Sequence, residues 1–105
     1  MADEKKQPDN ALNIELSEEI AEGIYSNLAI ISHSNSEFVL DFIKVLPGIP
    51  KGKVKSRILM TPQHAKRLMR ALNDNIAKFE SMHGSIKEAE PTAIPLNFGG
   101  PAGEA

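Results

Sequence analysis

Apolar residues recur along the chain at two different periods, and each period predicts one kind of secondary structure. Two runs rich in isoleucine, valine and phenylalanine, residues 24–33 and 37–45, are separated by Ser34-Asn35-Ser36. This pattern predicts a β-hairpin with a three-residue loop. The segment 46–52 holds two prolines and two glycines, so it predicts a longer turn before a further strand over 53–60.

A shorter alternating pattern precedes this hairpin. Leu12, Ile14 and Leu16 alternate with polar residues, which is the period of a half-buried strand. Residues 17–23 follow, with helix-forming residues closed by glycine. Because seven residues are too few for a stable isolated helix, a turn or bulge fits this segment as well. The sheet is therefore expected to contain three to four strands.

The strongest helix signal begins at Thr61-Pro62. A threonine hydroxyl can cap free N–H groups, and proline at the first helical position loses no hydrogen bond. Apolar residues then recur every three or four positions up to Gly84, which suits the end of a helix. The sequence predicts an α+β fold, an antiparallel three- to four-stranded β-meander followed by one long α-helix packed on one sheet face.

The two faces of the sheet follow from the register. A three-residue loop pairs Ile31 with Val39, and we align the second hairpin so that Asp41 meets Arg57. One face is then almost wholly apolar, and the helix is expected to cover it; its residues are Ile24, Leu28, Ile30, Phe38, Leu40, Phe42, Val54, Ile58 and Met60.

The opposite face is half apolar, whereas a solvated sheet face is usually mostly polar. One helix cannot cover both sides of a sheet, so we expect a second copy of the chain to cover this one. The expected interface consists of Tyr25, Ile31, Val39, Asp41, Ile43, Val45 and Arg57.

Asp41 is a charged residue on this partly apolar face. A carboxylate inside an apolar strand is costly unless it is paired, and Arg57 is the expected partner. Tyr25 and Asn27 lie near it in the same alignment and are alternative hydrogen-bond donors. We favour an ion pair that fixes the register over a catalytic carboxylate.

Composition limits the class of protein. The chain has 105 residues, a net charge of −2 and no cysteine, which fits a single domain without disulfides or thiol chemistry. We expect a tail over 1–11, a domain over 12–86 and a Pro/Gly-rich tail over 87–105. The polar start predicts no secretory signal and a cytoplasmic location.

Charge is divided unevenly along the chain. Eight lysines and arginines and no carboxylate occur from Phe42 to Asn73, whereas the preceding residues, from Gln7, hold seven carboxylates and no lysine or arginine. The basic region Lys44 to Arg70 suggests an anion or nucleic-acid site. The candidate residues are Lys51, Lys53, Lys55, Lys66, Arg67 and Arg70. Pairing with the acidic first half explains the same charges, and we favour it because stacking aromatics are lacking.

No catalytic motif is recognisable. His33, His64 and His83 fall in no known metal or nucleophile spacing, so we expect no enzymatic activity, no metal and no cofactor.

Three stretches carry a family resemblance: Gly23-Ile-Tyr-Ser-Asn-Leu-Ala-Ile-Ile-Ser-His-Ser, Glu37-Phe-Val-Leu-Asp-Phe, and Ser56-Arg-Ile-Leu-Met-Thr-Pro-Gln-His-Ala-Lys-Arg-Leu. Over residues 12–86 the chain resembles a family of short prokaryotic proteins known only as a domain of unknown function, the 3467 domain-of-unknown-function family. This resemblance implies no activity and no site.

A second resemblance is architectural. Strands followed by a long helix and the tail segment Ala93-Ile-Pro-Leu-Asn-Phe98 are similar to the SecB family of export chaperones. It implies a peptide-binding holdase, although the basic region departs from the acidic surface of that family. Ile94, Leu96 and Phe98 alternate, so this segment either docks in a groove or is a frayed terminus.

These observations predict a small homo-oligomeric interaction or scaffold protein. The alternatives are a SecB-like holdase and an anion or nucleic-acid binder. A protein or peptide partner is expected, nucleic acid ranks below it, and no membrane is expected.

Overall fold

A computed structural model describes residues 11–88 of the chain. Within that range three strands form one antiparallel sheet in the order β1-β2-β3, and a long helix follows. This confirms the predicted α+β class and the β-meander. The elements are α1 (Glu18–Ala21), β1 (Leu28–His33), β2 (Phe38–Val45), β3 (Gly52–Met60) and α2 (Pro62–His83).

The first hairpin has a four-residue loop, so the predicted three-residue loop is wrong. His33 pairs with Phe38, and the Ser34 N–H donates to the Glu37 carbonyl at 2.9 Å. The Ser34 hydroxyl accepts from the N–H groups of Ser36 and Glu37 at 3.2 and 3.3 Å, which holds the extra residue in the turn. Because side chains alternate along a strand, this one-residue change moves every β1 side chain to the other face.

The second hairpin has the predicted register at its centre, where Asp41 pairs with Arg57. A β-bulge interrupts the pairing between Phe42 and Ile43, and Lys55 is the unpaired extra residue. The connecting turn contains Gly48 at φ 78° and a hydrogen bond from the Ile49 N–H to the Leu46 carbonyl. Proline followed by a glycine with positive φ is typical of a type II turn.

Helix α2 begins and ends where the sequence predicts. The Thr61 hydroxyl accepts from the His64 N–H at 3.2 Å, and Gly84 at φ 93° donates to the Glu80 carbonyl. The expectation that this helix packs on the sheet of its own chain is wrong. Substantial contacts between elements are confined to adjacent strands, and no residue of α2 is buried. Only Thr61 separates β3 from α2, and the helix makes no substantial contact with any strand of the described sheet.

The predicted strand at residues 12–16 is also absent from the sheet. These residues form an irregular segment ahead of α1, whose first turn is capped by the Ser17 hydroxyl accepting from the Ile20 N–H. The alternating residues Ile94, Leu96 and Phe98 lie outside the described residues.

Candidate interaction surface

Asp41 and Arg57 form a bidentate ion pair at the centre of the sheet. The Nε and Nη2 atoms of Arg57 donate to the two carboxylate oxygens of Asp41 at 2.6 and 2.8 Å. Asp41 and Arg57 are cross-strand partners, so their side chains start from neighbouring backbone positions. Asp41 is only 3% exposed, whereas the Arg57 side chain is 53% exposed. The expected ion pair is therefore confirmed, with the carboxylate covered and the guanidinium half in water.

The pair perturbs both titrations in the expected directions. The pKa of Asp41 lies below its ordinary value chiefly because of the hydrogen bonds from Arg57; desolvation of the carboxylate opposes this and the guanidinium charge adds to it. The same contact raises the pKa of Arg57. Neither shift leaves a group that exchanges protons near neutral pH, so the pair is suited to fixing structure rather than to acid–base chemistry.

The ion pair lies on an apolar face, which we call the Asp41 face. The register places Leu28, Ile30, Ser32, Val39, Asp41, Ile43, Val54, Arg57 and Leu59 on it. The prediction that Leu28, Ile30 and Val54 share a face with Leu40 is therefore wrong, because the four-residue loop and the bulge shift the pairing. Ile43 is 5% exposed, whereas Leu59, on the outer strand, is 57% exposed. Val45 lies two residues beyond Ile43 on the same face and is partly exposed.

The register corrects one member of the expected interface. Ile31 pairs with Leu40, not with Val39, and therefore lies on the opposite face from Asp41. That opposite face, the Leu40 face, is mostly apolar and aromatic at its centre, with Ser56 as the polar exception: Ala29, Ile31, His33, Phe38, Leu40, Phe42, Ser56, Ile58 and Met60. The rings of His33 and Phe38 stack there with centroids 5.3 Å apart. Leu40 is buried, but Ile31 and Ile58 on the two outer strands are exposed.

Asn27 has a structural role that the sequence analysis missed. Its side chain donates to the Val45 carbonyl at 2.9 Å and accepts from the Val45 N–H at 2.8 Å. An amide side chain thus replaces a backbone partner just before β1 begins. Asp41 therefore takes Arg57 and not Asn27 as its partner, and the Tyr25 side chain is exposed. The sequence signal was an asparagine directly before a strand, a residue type that often bonds to nearby backbone.

Helix α2 presents a third apolar surface, which we call the α2 stripe: Leu68, Leu72, Ile76, Phe79 and Met82. All five side chains are among the exposed large hydrophobic residues. The three surfaces lie within one protomer, and none of them covers another to any substantial extent.

The basic residues occupy two places. Lys44 and Lys53 are cross-strand partners near the turn of the second hairpin, and Lys55 sits in the bulge next to them. Lys66, Arg67 and Arg70 are exposed on α2. Within residues 11–88 the ion pair between Asp41 and Arg57 is the only one, so the lysines of the hairpin have no carboxylate partner in that range.

The histidines lie apart. His33 ends β1, His64 lies in the first turn of α2, and His83 ends that helix beside Phe79. Across residues 11–88 no three histidine or carboxylate side chains gather as metal ligands would.

None of the helices that the structure describes has the length and apolar content needed to cross a bilayer.

No curated protein and no solved structure matches the chain, so the similarity to export chaperones stays a prediction. A family model matches residues 1–88, which is most of the chain, and this confirms the resemblance found in the strands and the helix start. The chain belongs to the family described as protein of unknown function (DUF3467).

Proposed function

We propose that this chain is a homo-oligomeric interaction protein without enzymatic activity, and that its sheet and helix form contacts between copies. One observation carries the proposal. Within residues 11–88 the only buried hydrophobic residues are Leu40 and Ile43. This described part of the protomer has the secondary structure of a domain but almost none of a domain's core.

The missing core has an energetic consequence. Burying one leucine, isoleucine or phenylalanine side chain stabilises a fold by about 1.5–3 kcal/mol. The Leu40 face, the Asp41 face and the α2 stripe all leave such side chains in water. Stable domains bury sheets and helices in at least two packed layers. A single sheet layer with a detached helix obtains those layers from another chain.

A second copy is the most economical source of the missing layers. Each added copy supplies one apolar helix and one apolar sheet face. In a two-fold arrangement, the same surface of each copy covers the other copy. The lengths suit such an exchange, since β3 spans nine residues and α2 spans 22, each about 30 Å long.

A matched pair of variants tests this proposal. Leu72→Asp places a charge in the α2 stripe, whereas Arg67→Asp places one on an exposed polar position of the same helix. Sedimentation of a dilution series measures the dissociation constant of each. We expect Leu72→Asp to weaken association at least about tenfold, since 1.4 kcal/mol is a factor of ten and a buried leucine contributes more. Equal dissociation constants for the two variants would reject a role of the stripe in assembly.

The same apolar surface also supports the holdase alternative, in which unfolded peptides replace the second copy. Suppression of a model protein's aggregation by the wild-type chain, lost in Leu72→Asp, would favour that alternative. An oligomer that leaves aggregation unchanged would favour the interaction protein.

Anion binding is a second candidate, and one specific observation favours it. Lys44 and Lys53 face each other across β2 and β3, and like charges in that position destabilise a sheet. A bound polyanion would relieve this repulsion. Fluorescence anisotropy of a short labelled RNA at low and high salt, with Lys53→Glu as the variant, tests it. Salt-sensitive binding that the variant loses supports the candidate, and unchanged anisotropy rejects it.

A further inference from the structure

The segment of residues 11–17, here the N-terminal segment, has the apolar pattern of a strand but does not pair with the sheet of its own chain. Leu12, Ile14 and Leu16 are 83%, 84% and 69% exposed. Asn13, Glu15 and Ser17 occupy the alternate positions. An extended segment with one apolar side gains free energy only where that side is covered.

The segment and the helix that follows it are acidic. Glu15 lies within the segment, and Glu18, Glu19 and Glu22 lie in or directly after α1. No lysine or arginine occurs in residues 11–22. Four carboxylates therefore accompany the three exposed apolar side chains.

Strand β3 offers an edge of the opposite charge. The order β1-β2-β3 leaves one side of β3 without a strand partner among residues 11–88, so alternate N–H and C=O groups along it can pair with a new strand. Lys53, Lys55 and Arg57 lie on β3, and Lys51 directly precedes it. At nine residues it is the longest strand of the described sheet.

Charge decides between the strands that could join this edge. Two copies of β3 paired with each other would bring lysines and arginines together, which destabilises a sheet. The free edge of β1, by contrast, has no lysine or arginine to attract carboxylates. The acidic N-terminal segment matches the β3 edge in charge and in strand period. The segment of the same chain lies outside the sheet, so the segment on this edge comes from a second copy.

One register satisfies both the apolar and the charged positions. With the added strand antiparallel and Ile14 opposite Ile58, Leu12 lies opposite Met60 and both pairs extend the Leu40 face. Glu15 then lies opposite Arg57, whose Nη1 atom is not used in the bidentate pair with Asp41. The chain continues from Glu15 toward Lys55 and Lys53, which brings the carboxylates of α1 to the lysine end of β3. A parallel arrangement would direct those carboxylates away from the lysines.

We propose that the N-terminal segment of one copy adds as an antiparallel fourth strand to the β3 edge of a second copy, held by its acidic residues and its three apolar side chains. This proposal rests on the homo-oligomer proposed above and adds which segment and which edge form the contact.

The absence of cysteine from the chain makes disulfide trapping a clean test. The full-length double variant Ile14→Cys/Ile58→Cys places two thiols at directly opposite positions, within the Cα separation that a disulfide requires. The control Ile14→Cys/Ile31→Cys places the second thiol on β1, at the far edge of the sheet and about 14 Å from the added strand at the usual strand spacing. Single-cysteine variants show any bond between equivalent positions. Circular dichroism tests whether each variant is folded. If the variant with Ile58→Cys is unfolded, Leu12→Cys/Met60→Cys replaces the first pair.

We expect oxidation to convert the 14/58 variant into covalent dimers on a non-reducing gel, at least about tenfold more than the 14/31 control, because only the first pair meets the geometry of a disulfide. Dimers from the 14/31 variant instead would assign the segment to the β1 edge and overturn the proposal. A disulfide formed within one chain would show that the N-terminal segment joins the β3 edge of its own chain, and would overturn the proposal that it comes from a second copy. If the uncrosslinked protein sediments as an oligomer but neither 14/58 nor 12/60 forms a bond, strand addition fails and the homo-oligomer stands. If the uncrosslinked protein sediments as a monomer, both the strand addition and the homo-oligomer are rejected.

Discussion

Replacing Asp41 by alanine removes the one carboxylate that the sheet buries. Glu37 is the matched control, because it is a carboxylate on the same hairpin whose side chain is exposed in the turn. Asp41→Ala loses two hydrogen bonds from a charged donor. Glu37→Ala leaves its own backbone bond to the Ser34 hydroxyl in place. Any general effect of removing a negative charge is therefore common to both variants.

The structure sets the size of the effect. A hydrogen bond to a charged group contributes about 1.5–3 kcal/mol net, and removing the desolvated carboxylate offsets part of that loss. The Arg57 side chain left behind is already half in water, so it is rehydrated without being stranded in an apolar interior. We expect Asp41→Ala to lower the free energy of unfolding by about 1–2 kcal/mol and Glu37→Ala to change it by less than about 0.5 kcal/mol.

The pH dependence provides a second readout. Because Arg57 lowers the pKa of Asp41 in the folded state, the pair stabilises the fold above the unfolded-state pKa of about 3.9. That stability is lost as the pH falls through the folded-state pKa. The difference between wild type and Asp41→Ala should therefore stay constant from neutral pH to about pH 5 and shrink below about pH 4.

Urea denaturation at one fixed protein concentration measures both effects, since stability coupled to assembly depends on concentration. Equal urea midpoints for Asp41→Ala and Glu37→Ala at pH 7 would refute the reasoning. A wild-type advantage that grows as the pH falls from 5 to 3 would refute the direction of the pKa shift.

Three further substitutions test local features of the fold by the same denaturation assay. Asn27→Ala removes both bonds to the Val45 backbone and should cost about 1 kcal/mol, whereas Asn35→Ala at the hairpin tip should be neutral. Thr61→Ala removes the cap of α2 and should cost about 1 kcal/mol, with Thr61→Ser retaining most of the stability. Gly48→Ala forces a Cβ into φ 78° and should cost about 1–2 kcal/mol, although nothing crowds that position. A neutral result for Asn27→Ala, Thr61→Ala or Gly48→Ala would contradict the role assigned to that residue.

The fold class followed from local signals in the sequence. Threonine followed by proline marked the start of α2 and glycine marked its end, because caps depend on residues next to one another in the chain. The pairing of Asp41 with Arg57 was likewise predictable, since a lone carboxylate in an apolar strand requires a nearby cation.

The faces of the sheet were less predictable. A loop of three residues and one of four differ here only in whether Glu37 belongs to the turn, and the Ser34 hydroxyl bonds decide it. The sequence is compatible with both loops, so the predicted faces of the β1 residues, Ile31 among them, are wrong. The bulge at Lys55 is equally hidden, because an extra residue near the end of a hairpin does not change its apolar pattern.

The position of α2 shows a more general limit. The period of its apolar residues predicts that the helix has one apolar side, and the α2 stripe is that side. Periodicity does not say which surface covers it. The described sheet of the same chain makes no substantial contact with the helix, and the spacing of apolar residues within α2 carries no information about that.

The mass of the wild-type protein in solution tests the central claim most directly. Multi-angle light scattering at tens of micromolar chain compares that mass with the 11.5 kDa of one copy. The account predicts a mass at least twice as large, because the exposed sheet faces and helix stripe need a second copy to form a core. A homogeneous species of 11.5 kDa with a cooperative unfolding transition would contradict it.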